Sequence, residues 1–212
     1  MKKGIFIIFI GVFIIMILTF VYLFHYDNEY TNSDFNITSY KSNIDMDNDG
    51  VDDQSDILAS TRKYISNKPR YKSKYYKGGY PNDNYGVCTD VVGFALLDAG
   101  YDLRKLVNED IINNQSDYNV DPIDIDIDFR RVTNLKVYFN NHAISLTTDI
   151  KKIDEWQGGD IVIFKKHIGI ISDKRNKKGI PFIIHHANPF QLSYEEDILE
   201  RRNDIVGHYR IS

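Results

Sequence analysis

Hydrophobic and polar positions divide the chain into stretches of different character. Residues 4–24, GIFIIFIGVFIIMILTFVYLF, are apolar and uncharged throughout, and they follow Lys2 and Lys3. At 1.5 Å per residue such a run makes roughly 30 Å of helix, enough for a bilayer core, and the two lysines favour a cytoplasmic N-terminus. The expectation is a single-pass cell-membrane anchor over 1–24, with residues 4–24 in the membrane and everything after them outside the cytoplasm. The alternative is a signal segment removed on secretion, although no small-x-small cleavage pattern follows the run. Residues 25–43 are polar, asparagine-rich and aperiodic, as a linker would be, and the folded domain is expected over 44–212.

Within the domain, the run ILASTRKYISN after Asp56 reads as a helix that Pro69 must follow. Residues 88–100, CTDVVGFALLDAG, place Val91, Val92, Ala95, Leu96 and Ala99 on one stripe at helical spacing, and Gly100 supplies a C-cap. Asp90 in the first turn complements the helix dipole. A second helix is expected over 102–118. The acidic run DPIDIDIDFRR reads as an extended edge whose carboxylates pair with Arg130 and Arg131, and Leu135–Phe139 and Ile161–Phe164 read as strands. HIGIISD (167–173) and IPFIIHH (180–186) flank the polar turn KRNKKG as two arms of a hairpin. Helices beside short antiparallel strands define an α+β class.

Charge and cysteine content narrow the chemistry. With 26 basic and 30 acidic residues and no dense basic stripe, phosphate-backbone binding has little support, so nucleic acid is not an expected partner. Cys88 is the only cysteine, so it forms no internal disulfide. At the start of a helix its sulfur would lie over unpaired N–H groups that favour the reactive thiolate; the plain alternative is a small residue filling an apolar hole. If the hairpin pairs symmetrically about Asn176, His167 and His185 lie opposite each other on one face, and a one-residue slip substitutes His186. A thiol beside two imidazoles suits a cysteine hydrolase: His167 takes the thiol proton and His185 orients its ring. Zinc held by Cys88, His167 and His185 is the other chemical reading, without a close-spaced ligand pair to support it. His142 and His208 are expected to be structural. The tyrosine-rich segment 69–86 would wall a cleft leading to Cys88.

Residues 45–56 carry Asp45, Asp47, Asp49, Asp53 and Asp56 at positions 1, 3, 5, 9 and 12, with Gly50 at 6. That resembles an EF-hand calcium loop with Asp in place of the closing Glu and no preceding helix, so a structural calcium is the expected cofactor and none is expected for catalysis.

GVCTDVV (86–92), DFRRVTNLKVYF (128–139), WQGGDIVIF (156–164), HIGIISD (167–173), IIHHA (183–187) and GHYR (207–210) together resemble the bacterial family of domain of unknown function 1287, over roughly residues 50–212. The resemblance implies membership of the NlpC/p60-like, papain-related cysteine peptidase group. It implies an NlpC/p60-type fold with the nucleophile helix on a small antiparallel sheet, Cys88 as nucleophile, His167 as base and His185 as orienting residue. Gly93-Phe94 stands where relatives commonly carry Trp-Arg, and His186 stands where they carry Asn. The expected function is a membrane-anchored extracytoplasmic cysteine hydrolase acting on an amide or peptide bond, in cell-wall peptides or another amide substrate. The alternatives are a non-catalytic cell-wall-binding or assembly module on the same fold, and an acyltransferase or amidase using the same Cys-His pair.

Overall fold

The computed structural model describes residues 9–19 and 29–211. Four helices, α1 (Asp53–Ser66), α2 (Cys88–Asp98), α3 (Leu103–Asn113) and α4 (Val132–His142), lie against a sheet made mostly from the C-terminal half. The strands are β1 (Arg70–Tyr71), β2 (Tyr85–Gly86), β3 (Ile144–Ser145), β4 (Ile161–Phe164), β5 (His167–Arg175), β6 (Pro181–Ile184), β7 (Glu195–Glu196) and β8 (Ile205–Arg210). β1 and β2 form a small parallel pair, and the other six form an antiparallel sheet in the order β3-β8-β4-β5-β6-β7. The class is α+β, with helices packed on a small antiparallel sheet.

Alternation along the central strands separates two cores. Ile161, Ile163, Ile168 and Ile170 turn to one face and meet Val92, Ala95, Leu96 and Ala99 of the α2 stripe, with Leu135 and Phe139 of α4. Val162, Phe164 and Ile171 turn to the other face and meet Trp156, Ile180 and Leu199. Each fully buried valine or leucine on the α2 stripe contributes about 1.5–3 kcal/mol relative to exposure, so α2 is held mainly by this face. α1 starts at Asp52, whose carboxylate accepts the Ser55 N–H at 3.2 Å, and packs on α2 through Ile57.

The described part of the polar segment before the domain is not free of it. Tyr30 and Arg175 exchange backbone hydrogen bonds at 2.9 and 2.7 Å. The fully buried Arg175 guanidinium donates to Asn32 Oδ1 and to the carbonyls of Ile153, Trp156 and Gly179. One arginine thereby ties the chain near residue 30 to two loops around the second core, the β3–β4 loop and the β5–β6 turn.

Several expectations are corrected. Residues 9–19 are helical, but among the described residues no helix is long and apolar enough to cross a membrane. The anchor over 4–24, the single-pass topology and the membrane as a partner are overturned on that finding; residues 4–8 and 20–24 of the run lie outside the described residues. Residues 135–139 are not a strand: they belong to α4, where Leu135, Tyr138 and Phe139 are buried at helical spacing. The acidic run folds into turns and a 3-10 turn at Asp128–Arg130 instead of an extended edge. Asp126 pairs with Arg104 at 2.7 Å and Arg130 is engaged elsewhere, whereas Arg131 pairs with Asp128 of the run at 3.4 Å, as expected.

Candidate active site

The entry to α2 is assembled by glycine, a carboxylate and a buried arginine. A Cβ at Gly86 would collide with the Tyr64 hydroxyl, so a larger residue here, just before Val87 and Cys88, would force the Tyr64 ring to shift. Val87 has no side-chain oxygen to cap the helix. Asp90 reaches back to accept the Val87 N–H at 2.8 Å, and Arg130 holds that carboxylate through Nε at 2.7 Å and an NH2 group at 2.9 Å. Both charged side chains are essentially unexposed, so their pairing is what makes their burial tolerable. Arg130 also donates to the Lys74 carbonyl, which fixes the tyrosine-rich segment to the same helix start.

Cys88 is half-buried in the first turn of α2. The backbone N–H groups of Ile168 and Thr89 point at its sulfur, which places the thiol at the head of β5. Burial outweighs these donors and pushes the thiol up to about 11. This corrects the expectation of a helix start that favours thiolate: the dipole is present, but desolvation is the larger effect.

The imidazoles converge by a register other than the symmetric one. Ile170 faces Ile184 and Ile171 faces Ile183, so His167 and His185 are not directly opposite, yet His167 Nε2 and His185 Nδ1 lie 2.7 Å apart. A Cβ on Gly169 would fall 2.6 Å from Ile183 Cγ2 and 3.1 Å from His185 Cβ, so this glycine makes room for the hairpin partner. His185 Nε2 lies 3.0 Å from a Glu196 carboxylate oxygen on β7. A carboxylate only accepts, so His185 carries its proton on Nε2 and accepts at Nδ1 from His167 Nε2–H. The lone pair left free for chemistry is on His167 Nδ1. Burial, with the His185 charge second, lowers His167 to about 3, which keeps the ring neutral. The His167 ring shares the side of Phe164, 5.9 Å away, and among the described residues no hydrogen bond joins the Cys88 sulfur to an imidazole.

Glu196 and Gln191, which donates to the His185 carbonyl at 3.2 Å, were not singled out from the sequence. They sit in a polar stretch without periodicity, and only the return of the chain along β6 brings them to His185. His186 points away from the pair and contacts Tyr71 and Tyr194. His208 is buried, stacked 3.8 Å from Trp156 and bonded to Thr147 and Asp160, and His142 pairs with Asp110.

Among the described residues, side chains grouped closely enough to hold a metal occur at Asp45, Asp47 and Asp49, whose ligand atoms lie within 4.8 Å of one another. Cys88, His167 and His185 form no such group. Asp53 is buried and occupied by the Met46 N–H and the Tyr101 hydroxyl, whereas Asp56 accepts from Ser60 and feels the charges of Asp49 and Asp47.

Fold and site thus define an α+β protein with a half-buried cysteine at a helix start and a carboxylate-anchored histidine pair at the head of the adjoining sheet. The chain belongs to the family described as domain of unknown function DUF1287, whose model matches residues 58–211. It is 38% identical over 151 residues to the uncharacterized protein YijF of Escherichia coli (strain K12), an alignment covering 67% of this chain and 72% of that protein. No solved structure matches the chain significantly. The expected membrane-anchored extracytoplasmic hydrolase of cell-wall peptides is set aside, because its anchoring helix is not found among the described residues.

Proposed function

We propose that the protein is a cysteine-dependent amidase or acyltransferase, built on a fold related to the NlpC/p60-like, papain-related group. The observation that carries this reading is the His167–His185–Glu196 chain, which leaves one basic nitrogen, His167 Nδ1, at the end of the strand whose next N–H touches the Cys88 sulfur. In the first step the Cys88 proton passes to His167 Nδ1 as the sulfur bonds to the carbonyl carbon of an amide. Backbone N–H groups at the start of α2, including that of Cys88, face the developing oxyanion. The C–N bond then breaks and the amine leaves with the proton from His167. Water, or a second nucleophile in a transferase, gives its proton to His167 and releases the acyl group, restoring the thiol. His185, anchored by Glu196, holds the His167 ring in the tautomer that leaves Nδ1 free.

The test is incubation with a library of N-acylated peptides, read by intact-protein and product mass. An acyl adduct on Cys88, and turnover lost in Cys88→Ala and His167→Ala, is the expected result. Undiminished turnover in Cys88→Ala rules the reading out. A second reading, a non-catalytic binding or assembly module, is favoured by the raised thiol and the missing sulfur–imidazole hydrogen bond; it predicts ligand capture without any adduct. Apart from the reaction, the all-oxygen set of Asp45, Asp47 and Asp49 suits a structural calcium.

A further inference from the structure

Beside the proposed reaction centre lies a cleft of about 330 Å³ whose walls come from both of its limbs. One wall is the β1/β2 pair, where Tyr71 faces Gly86, two residues before Cys88. The other is His186, adjacent to His185, together with Tyr194, whose carbonyl accepts the His185 N–H and whose hydroxyl bonds the Pro69 carbonyl. His186 is 3% exposed, is flanked edge-on by Tyr71 at 5.2 Å and by Tyr194 at 5.1 Å, and its buried Nδ1 has no hydrogen-bond partner. Buried polar atoms are nearly always paired, so the orphan nitrogen of this cleft-lining histidine is a group open to a partner.

The charged residue lining this cleft is Arg70, and Lys72 lies beside it over the same tyrosine ring. Arg70 and Lys72 lie over the Tyr85 ring at 4.7 and 5.5 Å, and among the described residues neither makes a salt bridge. Lys74 lies over the same ring but is neutralised by Asp83 at 2.6 Å. In a chain of net charge −4, two unpaired cations beside an aromatic-walled cleft select an anionic ligand. Pro69 and Tyr85 also line a second cavity of about 540 Å³, walled by Tyr64 and Phe94, whose carboxylates Asp83 and Asp98 are each paired with a lysine, Lys74 and Lys63.

We propose that this cleft binds an acidic peptide, with carboxylates at Arg70 and Lys72 and a backbone group hydrogen-bonded to His186. Its role as the substrate subsite rests on the acyl-transfer reading, whereas the binding itself does not. The test is calorimetric titration of the full chain and of its Cys88→Ala form with acetyl-tetraglutamate amide and its tetraglutamine counterpart. Saturable binding of the glutamate peptide, about tenfold tighter than the glutamine one, is expected. Arg70→Gln with Lys72→Gln should erase that preference. His186→Phe should weaken binding about fivefold with circular dichroism unchanged, and His186→Asn, which keeps a polar partner, should retain it. No binding, equal binding of both peptides, or equal binding of a single-stranded oligothymidylate overturns the acidic-peptide cleft. Because no step requires turnover, absence of an acyl adduct with peptide binding intact would refute the reaction and leave the cleft standing.

Discussion

His167 and His185 meet at 2.7 Å across strands whose pairing does not set them opposite each other, and Glu196 fixes the proton order of the pair. Burial lowers His167 to about 3 and His186 to about 4, the His185 charge adding to both, from an ordinary value of 6.5. The unfolded chain therefore binds protons that the folded chain refuses. This stability is complete above pH 6.5 and is lost as pH falls toward 4 for His186 and toward 3 for His167, at up to about 1.4 kcal/mol per pH unit for each imidazole. Urea unfolding at pH 7.5, 6 and 5 should show the decline, and His186→Gln should flatten it by about one proton. Stability constant from pH 7 to pH 5 would contradict the burial of His167 and His186 as neutral rings.

Asp90 and Arg130 form a bidentate pair under the nucleophile helix, and neither side chain is more than 1% exposed. Arg130→Ala leaves a buried carboxylate unpaired and should cost about 3–5 kcal/mol. Asp90→Ala should lose a similar amount, because Arg130 is then orphaned and the Val87 N–H loses its cap. The double variant should be far less damaging than the two losses added, as a urea double-mutant cycle would measure. Additive losses would mean that the pair is not coupled.

The legible part of the fold is the part that local period decides. The Val91–Ala99 stripe defines α2, and the β-rich runs around 161–164, 167–173 and 180–186 are strands, because each period spans its whole element. Leu135, Val137 and Phe139 alternate over five residues and mimic a strand. The longer spacing of Val132, Leu135 and Phe139 fits the helix that forms, so the window was too short. The contact between His167 and His185 was foreseeable from the hairpin, but its register was not, since a bulge between Ile171 and Arg175 shifts the arms. Glu196 was illegible because a loop, not a period, delivers it. The raised Cys88 thiol was illegible because desolvation belongs to packing, whereas the helix dipole can be read from position alone.

The thiol and the imidazole are shifted in opposite senses, Cys88 up to about 11 and His167 down to about 3, so the resting site holds an uncharged thiol and a neutral ring. Iodoacetamide at pH 7.5 should then modify Cys88 on the order of a hundredfold more slowly than an unstructured cysteine peptide. The rate should keep climbing above pH 9. A plateau reached below pH 7 would instead report a thiolate–imidazolium pair in the free protein. The same neutrality requires proton transfer in the acylation step, so turnover should show a normal solvent isotope effect.

Asp45, Asp47 and Asp49 place three carboxylates together where Gly50 takes φ of 92° and Asn48 takes φ of 62°, a tight left-handed path that brings the acids to one side. Repulsion among them is relieved by a cation, and a hard ion with flexible oxygen coordination suits the group better than magnesium, which needs near-octahedral geometry. If calcium binds with Kd of about 0.1 mM, 1 mM should stabilise the domain by about 1.4 kcal/mol and raise Tm by roughly 2–5 °C. Scanning calorimetry in calcium, magnesium and EDTA would read this directly. Asp47→Asn with Asp49→Asn should abolish the shift and, by removing like charges, should not destabilise the calcium-free domain. A Tm indifferent to calcium would reduce the cluster to a solvated acidic turn ahead of α1.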